Sequence, residues 1–140
     1  MSQDAMLELA ARFSGAIERG DLEAVRAIYA PDAVIWHNFD RAEQSVSENL
    51  KTLAWLTRVL SDRHYEIQRR EALPDGYLQQ HELQGRLPSG KKFSMPACLI
   101  VKVRDGRIQR LDEYLDLAQA AIMSEEAALL RDATRSSASE

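Results

Sequence analysis

Phe93-Ser94-Met95-Pro96-Ala97-Cys98-Leu99-Ile100-Val101-Lys102-Val103-Arg104-Asp105-Gly106-Arg107-Ile108-Gln109-Arg110-Leu111-Asp112-Glu113-Tyr114-Leu115-Asp116 decides the fold class of this chain. Asp105-Gly106 is a strong hairpin signal, because a tight β-turn needs positive φ at both central residues. The arms on either side, Phe93–Val103 and Ile108–Asp116, read as antiparallel strands. In the second arm Glu113 alternates with Leu111 and Leu115, so all three share one face. A carboxylate on a leucine face points to the interior. Working back, Pro88-Ser89-Gly90 turns the chain out of a strand over Tyr77–Leu87, and another strand covers His64–Ala72.

The N-terminal half is mainly helical. Met6, Leu9, Ala10, Phe13 and Ile17 recur at three- and four-residue steps along one face, and Arg19-Gly20 ends that helix. Asp21 caps a second helix with Leu22, Val25, Ile28 and Tyr29 on its buried side, and Pro31 stops it. A strand over 33–39 alternates Ala33, Ile35, His37 and Phe39 with Val34, Trp36 and Asn38. Ser45 and Glu48 make a capping box for a third helix reaching about Leu60. A last helix is expected over Leu117–Asp132. Residues 133–140, ending Ser136-Ser137-Ala138-Ser139-Glu140, are expected to be a flexible tail. Helices followed by hairpin-linked strands predict a single α+β domain over 1–132, with helices covering the concave face of a curved sheet and a pocket between the layers.

Composition narrows the function classes. The chain has 140 residues, 18 Lys+Arg and 22 Asp+Glu, for a formal charge of −4. That balance lacks the basic stripe of a nucleic-acid surface. No apolar run approaches the roughly 20 residues of a membrane span. The single cysteine, Cys98, forms no internal disulfide and reads as a small core residue. The N-terminus has no signal-peptide pattern, so a cytoplasmic protein is expected. There is no glycine-rich phosphate loop and no nucleophile elbow, and the three histidines have no ligand spacing, so neither a cofactor nor a metal is expected.

The segments Glu18-Arg19-Gly20-Asp21-Leu22-Glu23-Ala24, Tyr29-Ala30-Pro31-Asp32-Ala33-Val34, Trp36-His37-Asn38 and Val103–Asp116 together resemble the nuclear transport factor 2-like superfamily, in its SnoaL-like branch. The resemblance spans about residues 5–120. It implies a cone-shaped fold with a deep pocket, and homodimers formed through the outer face of the sheet. Members include ketosteroid isomerases, polyketide cyclases, scytalone dehydratase and limonene epoxide hydrolase. Against the last, Gln79 stands where that enzyme has arginine, His81 at its first aspartate, and Glu113 at the aspartate that activates water. Trp36 and Asn38 stand at its Tyr-x-Asn pair. The Arg-Asp-Asp set is therefore not retained. An alignment one residue shorter would turn Gln80 and Glu82 inward instead.

Four residues are the expected chemical groups: Glu113 as acid/base, His81 as its partner or proton relay, and Asn38 and Gln79 as positioning groups. A carboxylate in apolar surroundings and a near-neutral imidazole suit proton transfer. Phe13, Tyr29, Trp36, Trp55, Leu83, Met95, Ala97, Leu111 and Leu115 are expected to line a pocket for a small hydrophobic, oxygenated molecule. With Trp36 and Asn38 inward, His37 is expected outward. Arg69-Arg70 reads as solvated strand edge. The expected activity is isomerisation, cyclisation, dehydration or hydrolysis without a cofactor; the alternative is a non-catalytic binding or scaffolding protein.

Overall fold

The computed structural model describes residues 1–139, with side chains through Ala133. Its elements are α1 (Gln3–Arg19), α2 (Leu22–Ile28), β1 (Tyr29–His37), β2 (Glu43–Gln44), α3 (Val46–Val59), β3 (Ser61–Leu73), β4 (Gly76–Arg86), β5 (Lys92–Arg104), β6 (Arg107–Leu115) and α4 (Leu117–Ser139). The six strands form one mixed sheet in the order β2-β1-β6-β5-β4-β3. β3 to β6 run as antiparallel neighbours, and β1 joins β6 in parallel. This is the expected α+β cone.

Local chemistry sets the boundaries. Gly20 adopts φ 70° and its N–H closes α1 on Ala16 and Ile17. Ser45 and Glu48 cap α3 reciprocally. Asp105 and Gly106 both take positive φ, 52° and 76°, as the tight turn requires. The two-residue β2 has no counterpart among the expected strands. It is too short to carry a periodicity. α4 runs beyond the expected end at Asp132, because no glycine or proline after Leu117 stops it. Glu140 lies outside the described residues. No helix among the described residues is long and apolar enough to cross a membrane.

The core lies between the concave sheet face and the helices. Leu9, Phe13 and Ile17 of α1, Leu50 and Leu56 of α3, and Ile35, Leu83, Met95, Leu99 and Leu111 of the sheet are all buried. Two features place the site. The first is the parity of β1. Ala33, Ile35 and His37 face the core, and Trp36 and Asn38 are half-buried on the outer side. The second is a β-bulge in β3. Ile67 pairs with His81, but Arg69 pairs with Gln80 and Arg70 with Gln79. The extra residue, Gln68, reverses the alternation, so Arg70 rather than Arg69 shares the concave face with Gln79.

Candidate functional site

The concave sheet face, α1, α3 and α4 enclose a cavity of about 540 Å³. Phe13, Tyr29, Trp55, Leu83, Met95, Leu111 and Leu115 line it. The wall is chiefly apolar, and Trp55 and Met95 do not fill it. Ala97 is buried between His81 and Leu115, its register partners, as part of the sheet beneath, and does not line the cavity.

The polar groups sit on two adjacent rows of the sheet. One row runs His37, Glu113, Leu99, Gln79, Arg70 across β1, β6, β5, β4 and β3. The next contains Leu115, Ala97 and His81. His81 and Glu113 thus stand two strands apart, roughly 10 Å at the backbone, on a concave surface that turns both into one cavity. Gln79 and His81 face inward; Gln80 is exposed and Glu82 lies on its side of the strand.

Glu113 does not hydrogen-bond His81. Its partner is His37, whose Nε2 lies 3.1 Å from Glu113 Oε1. This corrects the expectation that His37 faces outward. Its side chain is 9% exposed, lines the cavity, and stacks on Phe39 at 5.1 Å between ring centroids. His37 Nδ1 is sealed without a partner, so the proton of the neutral ring belongs on Nε2, where Glu113 accepts it. The Glu113 carboxylate has no other hydrogen-bond partner among the described residues, which leaves its second oxygen free.

Asn38 and Trp36 are corrected with His37, since alternate strand residues exchange faces together. Asn38 Nδ2 donates to Leu115 O at 3.2 Å, and its Oδ1 accepts from Leu115 N at 3.1 Å. It ties the end of β1 to β6 beside Glu113 and does not line the cavity. Trp36 packs on Tyr114, with ring centroids 5.2 Å apart on the outer face. Cys98 is also on that side, half-exposed rather than in the core.

Residues 10–111 match the model of the SnoaL-like domain. The chain belongs to the SnoaL-like domain family. Solved structures of similar shape share little sequence with this SnoaL-like domain, and their likeness shows the fold. PrhC from Penicillium brasilianum is 13% identical, with 92% of this chain and 91% of that one covered and a TM-score of 0.81. AclR from Streptomyces galilaeus, a candidate hydroxylase, is 16% identical over 89% and 98% of the chains, with a TM-score of 0.78. IdmH from Streptomyces antibioticus, a candidate polyketide cyclase, is 22% identical over 84% and 96%, with a TM-score of 0.74. No curated protein matches in sequence.

The second cluster of this SnoaL-like domain centres on His81. Gln79 Nε2 lies 2.8 Å from His81 Nδ1, and Gln79 Oε1 accepts from Arg70 Nε at 2.8 Å. Arg70 Nη2 also reaches Ser14 Oγ at 3.2 Å. The Tyr65 ring packs edge-on against His81 at 4.7 Å. Burial is the largest influence and pushes the His81 pKa below its usual value; the Glu113 charge comes next and opposes it, and the Arg70 charge adds a smaller push downward. Tyr29 donates to Asn49 Oδ1 at 2.8 Å, and burial pushes its hydroxyl well above the usual range, so it stays a neutral donor. The sequence reading missed His37, Arg70, Tyr65, Ser14 and Asn49. The inward parity of β1 would have found His37; nothing local announces the bulge that turns Arg70. Among the described residues no group of three or more His, Cys, Asp or Glu is placed to hold a metal.

The His81 environment has a pH signature. With a native pKa below the ordinary value of about 6.5, the unfolded chain binds the proton more readily. Stability from this group is complete above about pH 6.5, falls as pH drops towards the native pKa, and levels off below it. His81→Gln should flatten the unfolding free energy against pH in that window, measured by urea denaturation; an unchanged slope would show that His81 titrates alike in both states.

Proposed function

We propose that this SnoaL-like domain is a cofactor-independent acid/base enzyme acting on a small apolar molecule that carries an oxygen function. One observation carries the reading: Glu113, oriented by His37, keeps a free carboxylate oxygen in the same apolar cavity as His81. A carboxylate held this way takes a proton from a substrate carbon or water and returns it nearby, a step common to isomerisation, cyclisation, dehydration and hydrolysis. The cyclase description of IdmH fits this chemistry.

The test uses 2-tetralone, an apolar bicyclic ketone with acidic hydrogens beside its carbonyl. Binding to the native state raises the melting temperature, worth about 2.7 kcal/mol at a hundred times Kd. Proton NMR in deuterium oxide then follows loss of those hydrogens. Stabilisation with exchange above buffer supports the enzyme. Stabilisation without exchange overturns it in favour of a binding protein.

The proposal includes a homodimer through the outer sheet face. Ile100 and Tyr114 are 45% and 50% exposed there, beside Trp36. Sedimentation should give a dimer, and Tyr114→Arg a monomer; a monomeric native protein would refute the dimer.

A further inference from the structure

We propose that Arg70, acting through the Gln79 amide, holds His81 as a neutral imidazole that presents Nε2–H to the cavity, making that wall the binding point for a carbonyl or enolate oxygen. The proposal rests on the enzyme reading above and deepens it by making His81 a hydrogen-bond donor instead of a proton relay.

The assignment follows from which groups can donate. Arg70 has only donors. Its Nε therefore fixes the oxygen of Gln79 on the arginine side, at 2.8 Å. The amide nitrogen must then face His81, and an amide nitrogen only donates. His81 Nδ1, 2.8 Å away, is consequently the acceptor and carries no proton. The proton of the neutral ring sits on Nε2. That atom meets no protein acceptor among the described residues and is not among the sealed, unpartnered atoms, so it opens on the cavity that His81 lines.

Arg70 is built for this task. The bulge at Gln68 turns it inward where regular alternation would have placed Arg69. Arg69 pairs with Glu71 at 2.9 Å, whereas half-buried Arg70 makes no ion pair among the described residues and spends its hydrogen bonds on Gln79 and Ser14. A partly desolvated cation without a counter-ion is costly. Here its charge disfavours a second proton on His81.

The chemistry is redox-neutral and needs no co-reactant. The free oxygen of Glu113 takes a proton from the carbon beside the substrate carbonyl. The C–H electron pair forms the carbon–carbon double bond, and the carbonyl π pair moves to oxygen as an enolate. His81 Nε2–H donates a hydrogen bond to that oxygen without transferring its proton. Returning the proton from Glu113 completes the cycle. A neutral donor aimed where charge develops lowers the barrier.

Nitrogen-15 NMR of the histidine-labelled protein tests the assignment without a substrate, so its outcome is independent of whether the enzyme reading holds. Around the ring, Tyr65 of β3 packs edge-on, Glu113 of β6 faces the same cavity, and Arg70 of β3 and Ser14 of α1 stand behind Gln79. The native protein should show His81 with Nδ1 bare and Nε2 protonated, titrating below the ordinary histidine range. Arg70→Met should raise that pKa and mix the tautomers, and Arg70→Lys should restore the low pKa by restoring the charge. Gln79→Glu gives a second readout should Arg70→Met fail to fold. A carboxylate accepts from both neighbours, so His81 should switch to Nδ1–H. A native Nδ1–H tautomer overturns the proposal. So does an unchanged His81 signal in folded Arg70→Met, or in Gln79→Glu.

Discussion

Glu113→Gln should lower the rate of carbon–hydrogen exchange into 2-tetralone by about a hundred- to ten-thousand-fold and leave the fold in place. The amide has nearly the shape of the carboxylate. Its oxygen can still accept from His37 Nε2, 3.1 Å away in the native protein, so the pair that orients the side chain survives. What disappears is the proton acceptor. The loss corresponds to about 3 to 5 kcal/mol of barrier and should fall on kcat, because the apolar contacts that bind the ketone are untouched. His37→Gln should cost less, because it loosens the orientation of the carboxylate without removing it. Exchange rates by NMR, with melting curves for each variant, check the prediction. Equal rates in native and Glu113→Gln protein would remove Glu113 from the mechanism.

Gly76→Ala should be the most damaging small substitution in the sheet. A Cβ built at Gly76 would lie 1.7 Å from Val101 O and 2.8 Å from Val101 C. These are backbone atoms of β5 and cannot swing aside, so β4 and β5 must part at the start of their ladder. Forced overpacking of this kind costs about 3 kcal/mol, roughly 10 °C of melting temperature in a domain of this size. The effect reaches the site, because Gln79 and His81 follow on β4 and keep their places through that ladder. Gly90→Ala is the contrast. Its φ of 89° strains any side chain, but nothing lies within 4 Å of the added methyl group. It should cost only about 1 to 2 kcal/mol and leave the cavity unchanged. Thermal and urea denaturation separate the two cases, and similar losses would mean that the β4–β5 approach is not tight.

The fold was legible because its strongest signals are local. The Asp105-Gly106 turn, the capping box at Ser45 and the stripe from Met6 to Ile17 each depend on near neighbours in sequence. Half of the polar site was legible for the same reason: Glu113 between two leucines and Gln79 with His81 on one face of β4 follow from alternation alone. The other half depends on relations that alternation does not contain. β1 offers a polar residue on both faces near its end, His37 on one and Asn38 on the other, and only parallel pairing with β6 decides between them. That pairing sets His37 beside Glu113 and leaves Asn38 to clamp the backbone of Leu115. Arg70 is hidden more deeply. Regular alternation in β3 predicts the wrong arginine, and the bulge that corrects it has no local marker in Ile67-Gln68-Arg69. Groups with chemical work to do can sit where regular patterning breaks, because the break re-aims a side chain.

A crystal structure of the protein with 2-naphthol, a flat phenol that copies the enol of 2-tetralone, tests the roles of His81 and Glu113 most directly. The phenol oxygen should lie within hydrogen-bond distance of His81 Nε2, with the adjacent ring carbon facing the free oxygen of Glu113. A ligand bound in the cavity with its oxygen turned away from His81, or bound outside the cavity, would contradict these roles.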